Sequence, residues 1–146
     1  MENKRIRKMT AADKEEVLAM MRVFYASPAV LSNGSEEIFC SDIAACVSDS
    51  PYLEGYVMES DGQILGYSMV AKSFSTEFGK PCIWIEDIYM KPESRGKGIG
   101  GELLQYIQAQ YPGAVFRLEA EPENEIAVGL YRKMGFEELA YMELKK

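Results

Sequence analysis

Residues 82–101 read Cys-Ile-Trp-Ile-Glu-Asp-Ile-Tyr-Met-Lys-Pro-Glu-Ser-Arg-Gly-Lys-Gly-Ile-Gly-Gly. The first nine, Cys82 to Met90, are β-branched, aromatic and apolar on both faces, as in a strand at the centre of a sheet. Two adjacent carboxylates, Glu86 and Asp87, interrupt them. Strict alternation along a strand aims such neighbours at opposite faces, so at most one of the two meets a bound reactant directly. After Lys91-Pro92-Glu93-Ser94 comes a turn containing Gly96, Gly98, Gly100 and Gly101, then the apolar helical positions Leu103, Leu104 and Ile107, ending at Tyr111-Pro112-Gly113. Strand, glycine-rich turn and helix make a cradle for a pyrophosphate. Glycines let the backbone come close, successive N–H groups point into a concavity, and the helix N-terminus adds partial positive charge. Arg95 and Lys97 bring full charges to the same place.

Gly96, Gly98 and Gly101 also satisfy Gly-x-Gly-x-x-Gly, with Glu119 at 18 residues beyond Gly101. The dinucleotide fold is nonetheless a poor fit. Its first glycine follows the strand almost directly, whereas five residues separate Met90 from Gly96, and the 45 residues after Gly101 leave no room for a second half-domain. No Gly-Lys-Ser/Thr closes the loop, so the chain is not a P-loop protein either.

Outward from this stretch the pattern is α/β. Residues 5–9 form a short strand candidate, and Thr10 with Asp13 opens a helix bearing Val17, Leu18, Met21 and Phe24. Ser35 caps a second helix with Ile38, Phe39, Ile43 and Val47. Residues 55–59 and 64–71 form a hairpin around Asp61-Gly62. Ala114 to Leu118 is a strand, Asn124 caps a helix reaching Met134, and Phe136 to Leu144 is a last strand or pair of strands. No repeat or linker is visible, and 146 residues with 47% hydrophobic side chains suit one domain, residues 1–146.

The chain contains no histidine. That excludes Ser-His-Asp and Cys-His hydrolases and histidine-ligated zinc, and it leaves proton transfer to carboxylate, tyrosine, cysteine, lysine or water. Three cysteines, Cys40, Cys46 and Cys82, fit neither a disulfide framework nor a zinc site; no metal is expected. The net charge is −7, with 7 basic against 11 acidic residues in 1–73 and 9 against 12 in 74–146, so no basic half offers an electrostatic footprint for nucleic acid. The charged N-terminus Met-Glu-Asn-Lys-Arg precedes no apolar segment, and no run of 18 apolar residues occurs. A cytoplasmic protein without a membrane partner is the expectation.

The run Ile88-Tyr89-Met90-Lys91-Pro92-Glu93-Ser94-Arg95-Gly96-Lys97-Gly98-Ile99-Gly100 resembles the acetyl-CoA-binding motif of the GNAT superfamily of N-acetyltransferases, with its Arg/Gln-x-x-Gly-x-Gly/Ala core at Arg95, Gly98 and Gly100. Asn124 to Phe136 is similar to that family's downstream segment, Asn-x-x-Ala-x-x-Leu-Tyr followed by Gly-Phe. The resemblance implies a mixed, mostly antiparallel sheet flanked by about four helices. It splays between the strand ending at Met90 and the one beginning near Ala114, with acetyl-CoA as co-substrate in the opening. It also implies roles. Backbone groups of Ile88, Tyr89 and Met90 pair with the acetyl and pantetheine portion, and Ile88 or Tyr89 supplies the oxyanion donor. The segment Arg95, Gly96, Lys97, Gly98, Ile99, Gly100, Gly101 cradles the pyrophosphate, Asn124 touches the pantetheine arm, and Tyr131 stands near the sulfur as general acid.

Acetyl transfer to an amine needs the amine neutral, and with no histidine a carboxylate is the expected base. Ile85-Glu86-Asp87-Ile88-Tyr89 is similar to the corresponding stretch of diamine and polyamine N-acetyltransferases, which favours Glu86, acting through water, over Asp87. The acidic run Glu119, Glu121, Glu123 and Glu125 borders the same opening and reads either as an attractor for a cation or as a solvated loop. The expected activity is transfer of acetyl to a primary amine of a small cationic acceptor. An amino acid, an aminoglycoside, a protein amine, or a non-catalytic acyl-CoA sensor stand as alternatives. The acceptor loops, 25–36 and 72–81, carry no readable motif, and the resemblance admits a homodimer.

Overall fold

A computed structural model describes residues 3–31 and 34–146, so Met1-Glu2 of the N-terminal reading and Ser32-Asn33 of the first acceptor loop lie outside the described residues. Five strands, β1 (Lys4–Lys8), β2 (Leu53–Ser60), β3 (Gln63–Ser75), β4 (Lys80–Met90) and β5 (Val115–Leu118), form one sheet in chain order. The first three pairings are antiparallel and β4–β5 is parallel, which requires a crossover, here α3 (Ile99–Gln110). The other helices are α1 (Lys14–Tyr25), α2 (Glu36–Val47) and α4 (Glu125–Lys133). The mixed, mostly antiparallel sheet with four helices is the fold class expected.

Local chemistry explains the boundaries. Asp61 and Gly62 both have positive φ (51° and 79°), the pairing that a tight hairpin with the natural strand twist requires. The Ser35 hydroxyl accepts from the Ile38 N–H to cap α2, and the Asn124 side chain accepts from Ala127 N–H to cap α4. Each face of the sheet is covered. Val57, Tyr67, Met69 and Tyr89 pack on α1 and α2 through Val17, Leu18, Met21, Phe39 and Ile43. Tyr56, Met58, Val70, Ile83 and Ile85 pack on α3 through Ile99, Leu103, Leu104 and Ile107, with Leu130, Tyr131 and Met134 of α4 adding to that side.

One irregularity positions everything that follows. Met69 pairs with Asp87 but Val70 pairs with Ile85, so Glu86 is an extra residue in β4 with no partner on β3. A bulge of this kind shifts side-chain parity. Before it the odd positions Ile83 and Ile85 face α3; after it the odd position Tyr89 faces α1 and α2, while Ile88 and Met90 turn to the α3 side. β5 accompanies β4 only from Cys82 to Ile85, so the sheet splays at the bulge, and Asp87 to Met90 are paired on the β3 side alone.

The last strand expected at 136–144 is not formed. Leu139, Tyr141, Met142 and Leu144 are largely exposed, and the segment touches the rest through side chains, the Tyr141 hydroxyl donating to Glu77 and Glu143 meeting Glu119. Alternation of apolar residues says which side a strand would bury, not whether an edge exists to pair with it. Here β5 has only four residues, and the returning chain meets its end carboxyl against carboxyl.

Two features give stability predictions. A Cβ on Gly66 would stand 2.5 Å from the Tyr89 carbonyl, which is backbone and cannot swing away. Gly66→Ala is therefore expected to destabilise by about 1–3 kcal/mol, seen as a lower thermal midpoint. Burial alone would favour the neutral form of Glu54, but hydrogen bonds from Tyr111, Lys72 and Tyr56 outweigh it and hold its carboxyl down to about 2. A depressed carboxyl stabilises the fold above its unfolded value and loses this as pH falls through the folded one. Urea unfolding should show Glu54→Gln less stable than wild type at pH 7, with the gap closing between pH 4.5 and 2.

Candidate active site in the splayed sheet

At the opening the chain leaves β4 through Lys91-Pro92-Glu93-Ser94 and enters α3 through the glycines. Gly98 is the cap residue of α3, at φ 75° and ψ 10°, with no side chain to satisfy the first-turn N–H groups. Those groups have no partner within the helix, so the entry presents free donors and the positive end of the dipole. A Cβ on Gly96 or Gly98 would meet nothing within 4 Å, so the turn faces open space. Gly100 differs: a Cβ there would stand 3.4 Å from Leu130, so α4 packs directly on the first turn of α3. The Arg95 Nε donates to the Met90 carbonyl at 2.9 Å, with the guanidinium 5.4 Å from the centre of the Tyr89 ring, so the arginine is anchored at the junction of strand and turn. Lys97 is exposed on the turn itself.

The bulge changes the reading of the two carboxylates. Asp87 is 3% exposed, and both its oxygens are taken: Oδ1 accepts from the Tyr25 hydroxyl at 2.7 Å and Oδ2 from the Tyr67 hydroxyl at 2.8 Å. Its main-chain carbonyl accepts from the Ser68 hydroxyl at 2.7 Å. Burial pushes the Asp87 carboxyl up, and the two tyrosine hydroxyls partly counter it. Glu86 is exposed, and its carboxyl is raised by partial burial, then by the charges of Asp87, Glu143 and Asp42. Opposite faces, expected from alternation, are therefore replaced by one neighbourhood, in which Asp42 of α2 raises Glu86 and is itself raised by burial and by Asp87. Across the splay, the hydrogen bond to Glu143, with burial and the charge of Glu86, pushes Glu119 up to about 7.

Tyr131 lies in α4 on the other face of the sheet, its ring edge-on to Phe136 at 6.1 Å. Burial raises its hydroxyl, which makes no hydrogen bond to protein among the described residues, so the proton is available to a ligand. Ile88, Tyr89 and Met90 follow the bulge on the free side of β4, and Asn124 stands at the N-terminus of α4 with its carbonyl oxygen in the cap and its NH2 available. Trp84 is a wall residue, half-buried under the Arg117 guanidinium at 4.5 Å. Sequence reading missed Tyr25, Tyr67, Asp42 and Glu143. Tyr25 is 62 residues from Asp87, and nothing local ties the two.

A sheet split beside a glycine-rich, positively charged helix entry is the frame of a coenzyme-dependent acyltransferase. The model of the Acetyltransferase (GNAT) family matches residues 12–136, and the chain belongs to that family. It is 36% identical over 83 residues to the thialysine N-epsilon-acetyltransferase of Bos taurus, covering 55% of this chain and 48% of that protein. It is 28% identical over 83 residues to the peptidyl-lysine N-acetyltransferase YiaC of Escherichia coli (strain K12), covering 57% and 49% respectively. The matched stretch thus spans about half the length of these curated relatives. Among solved structures, the aminoglycoside N-acetyltransferase AAC(6')-Iy in complex with CoA superposes with a TM-score of 0.82 at 16% identity, over 100% of this chain and 95% of that one. A possible acetyltransferase from Clostridium difficile 630 does so with 0.83 at 19% identity, over 98% and 96%. At such identities the likeness shows the fold.

The left-handed cap gives a prediction. An L side chain in that region costs about 1–2 kcal/mol. Gly98→Ala is expected to lower the thermal midpoint and to reduce the further rise that CoA produces in wild type; an unchanged CoA-dependent rise would separate the turn from ligand binding.

Proposed function

We propose that the protein transfers acetyl from acetyl-CoA to a primary amine of a small cationic acceptor, diamine or polyamine in type, by direct attack with both reactants bound in one domain, residues 1–146. The observation that carries the acceptor is the state of five carboxylates at the splay. Glu86 links them, within electrostatic reach of Asp42, Asp87, Glu119 and Glu143, with Asp42 also near Asp87 and Glu119 against Glu143; every resolved shift among them is upward, and among the described residues none pairs with Lys or Arg. A cation entering there would offset the burial of these carboxylates and the repulsion that Glu86 feels from its neighbours, and a second ammonium on the same molecule would meet the Glu119 and Glu143 side. The thialysine acetyltransferase relative, acting on a side-chain amine, supports this choice.

The donor supplies the activated acetyl group. The chain's part is to hold and to move protons. The free N–H groups at the start of α3, with Lys97 and Arg95 beside them, suit the diphosphate. The unpaired side of β4 at Ile88, Tyr89 and Met90 suits the amides of the pantetheine arm, which hydrogen-bond as a peptide strand does. Holding both reactants in register supplies up to roughly 7–11 kcal/mol of the barrier. Glu86, the exposed member of the bulge pair, takes the amine proton through water, and Tyr131, whose hydroxyl has no protein partner among the described residues, holds the proton that the leaving thiolate requires. Base and acid thus work from opposite faces of the sheet, with the split between them.

Two measurements test this. Thiol release from acetyl-CoA with a panel of diamines, polyamines, amino acids, aminoglycosides and lysine peptides should favour the diamines and polyamines and weaken as salt is raised; binding of acetyl-CoA without turnover of any amine would leave a sensor instead. Glu86 must be ionised to act, and its carboxyl titrates above the ordinary 4.5, so kcat/KM should fall on the acid side at a pH above that value. Glu86→Gln is expected to lose that limb and about 10²–10⁴-fold in rate, whereas Tyr131→Phe should lower kcat with acetyl-CoA affinity intact.

A further inference from the structure

The last residue of α1 reaches across the molecule to the bulge. Tyr25 donates to Asp87 Oδ1 at 2.7 Å, and its ring is wedged between Phe24 at 5.3 Å and Phe39 of α2 at 5.1 Å. On its loop side, Gly34 at φ 67° lies so close that a Cβ there would stand 2.5 Å from the Phe39 ring and 3.5 Å from that of Tyr25. The hydroxyl is thereby aimed by packing on two helices and on the connection between them. Tyr67 holds the other carboxyl oxygen and Ser68 the carbonyl, so three hydroxyls fix Asp87 at three atoms.

We propose that Tyr25 is a positioning residue for acetyl transfer: with Tyr67 it keeps Asp87 anchored inside the β4 bulge, which leaves Glu86 as the carboxylate that meets the amine and sets the course of the strand at Ile88 and Tyr89. The proposal rests on the acetyltransferase reading above. Asp87 is buried and neither of its carboxyl oxygens is free of a tyrosine hydroxyl, so it is not the group that exchanges a proton with the acceptor. Its task is geometric and electrostatic. It pins the extra residue of β4 beside it, and its charge adds to that felt by Glu86. The groups facing the pair are Tyr25 from α1, Asp42 and the Cys46 thiol from α2, Tyr67 from β3, and Glu143 from the C-terminal segment, with Glu119 beyond it at the end of β5.

The sign of the pH effect follows from this set. Both hydroxyls stabilise the ionised carboxylate, so removing one raises the proton affinity of the Glu86–Asp87 pair as a whole, and the pair becomes fully ionised only at higher pH. The experiment is the pH dependence of kcat/KM, with saturating acetyl-CoA and a primary diamine, for the full chain and for Tyr25→Phe and Tyr67→Phe. Each variant should move the acid limb upward by about half a pH unit or more and lower kcat at pH 7 about tenfold, with KM for acetyl-CoA unchanged, effects that loosened packing alone does not produce. In an Asp87→Asn background the further loss from Tyr25→Phe should shrink to less than about twofold, because both changes act on one interaction. An active wild type whose acid limb is shifted by neither variant, or a Tyr25→Phe effect that stays tenfold in the Asp87→Asn background, overturns the positioning role and leaves the acetyltransferase reading standing. A wild type that binds acetyl-CoA and acetylates no amine overturns that reading, and the positioning role with it.

Discussion

The site depends on one extra residue in a strand. Glu86 has no partner on β3, and that single insertion reverses the parity of β4. Without it Asp87 would face α3 with the apolar residues Ile83 and Ile85, away from the Tyr25 and Tyr67 hydroxyls that hold it, and Tyr89 would leave the cluster formed with Tyr67 and Met69. With it, both carboxylates share one neighbourhood, and the bulge falls where the parallel partner β5 stops. A buried carboxylate tolerates such a place only if its lone pairs are occupied, and Tyr25 and Tyr67 meet that demand.

The split sheet also separates charges. On one side the α3 entry has backbone donors without intrahelical partners, Lys97 on the turn, and Arg95 held by the Met90 carbonyl. On the other, carboxylates from α2, β4, the end of β5 and the C-terminal segment act on one another with no basic partner among the described residues. Like charges kept that close raise each other's affinity for protons and for cations alike. The anionic donor and cationic acceptor proposed above fit this division of charge.

Much of this was legible in the chain, for local reasons. The glycine-rich entry to α3, a Ser35 cap, an Asp61-Gly62 hairpin and apolar periodicity in α1 and α3 are dictated by residues within a turn or two of each other, so the sequence displays them directly. The Arg95 to Gly101 turn and the Asn124 to Phe136 segment carried the family for the same reason. Register is different. Whether β4 holds a bulge depends on where β3 resumes its pairing, and alternation alone put Glu86 and Asp87 on opposite faces. The segment after Phe136 shows the same gap from the other direction, an apolar alternation with no strand edge waiting to receive it.

Composition and local motif therefore determined, by themselves, the α/β class, the glycine-rich helix entry, the family, and the requirement that proton transfer run without histidine, because each rests on residue identity or on neighbours along the chain. Tertiary structure alone decided which carboxylate is buried and which is exposed, that Tyr25 and Tyr67 hold Asp87, and that Asp42 and Glu143 join the acidic wall. Those outcomes turn on contacts between residues 20 to 62 positions apart, set by strand register and by helices packing on opposite faces of one sheet.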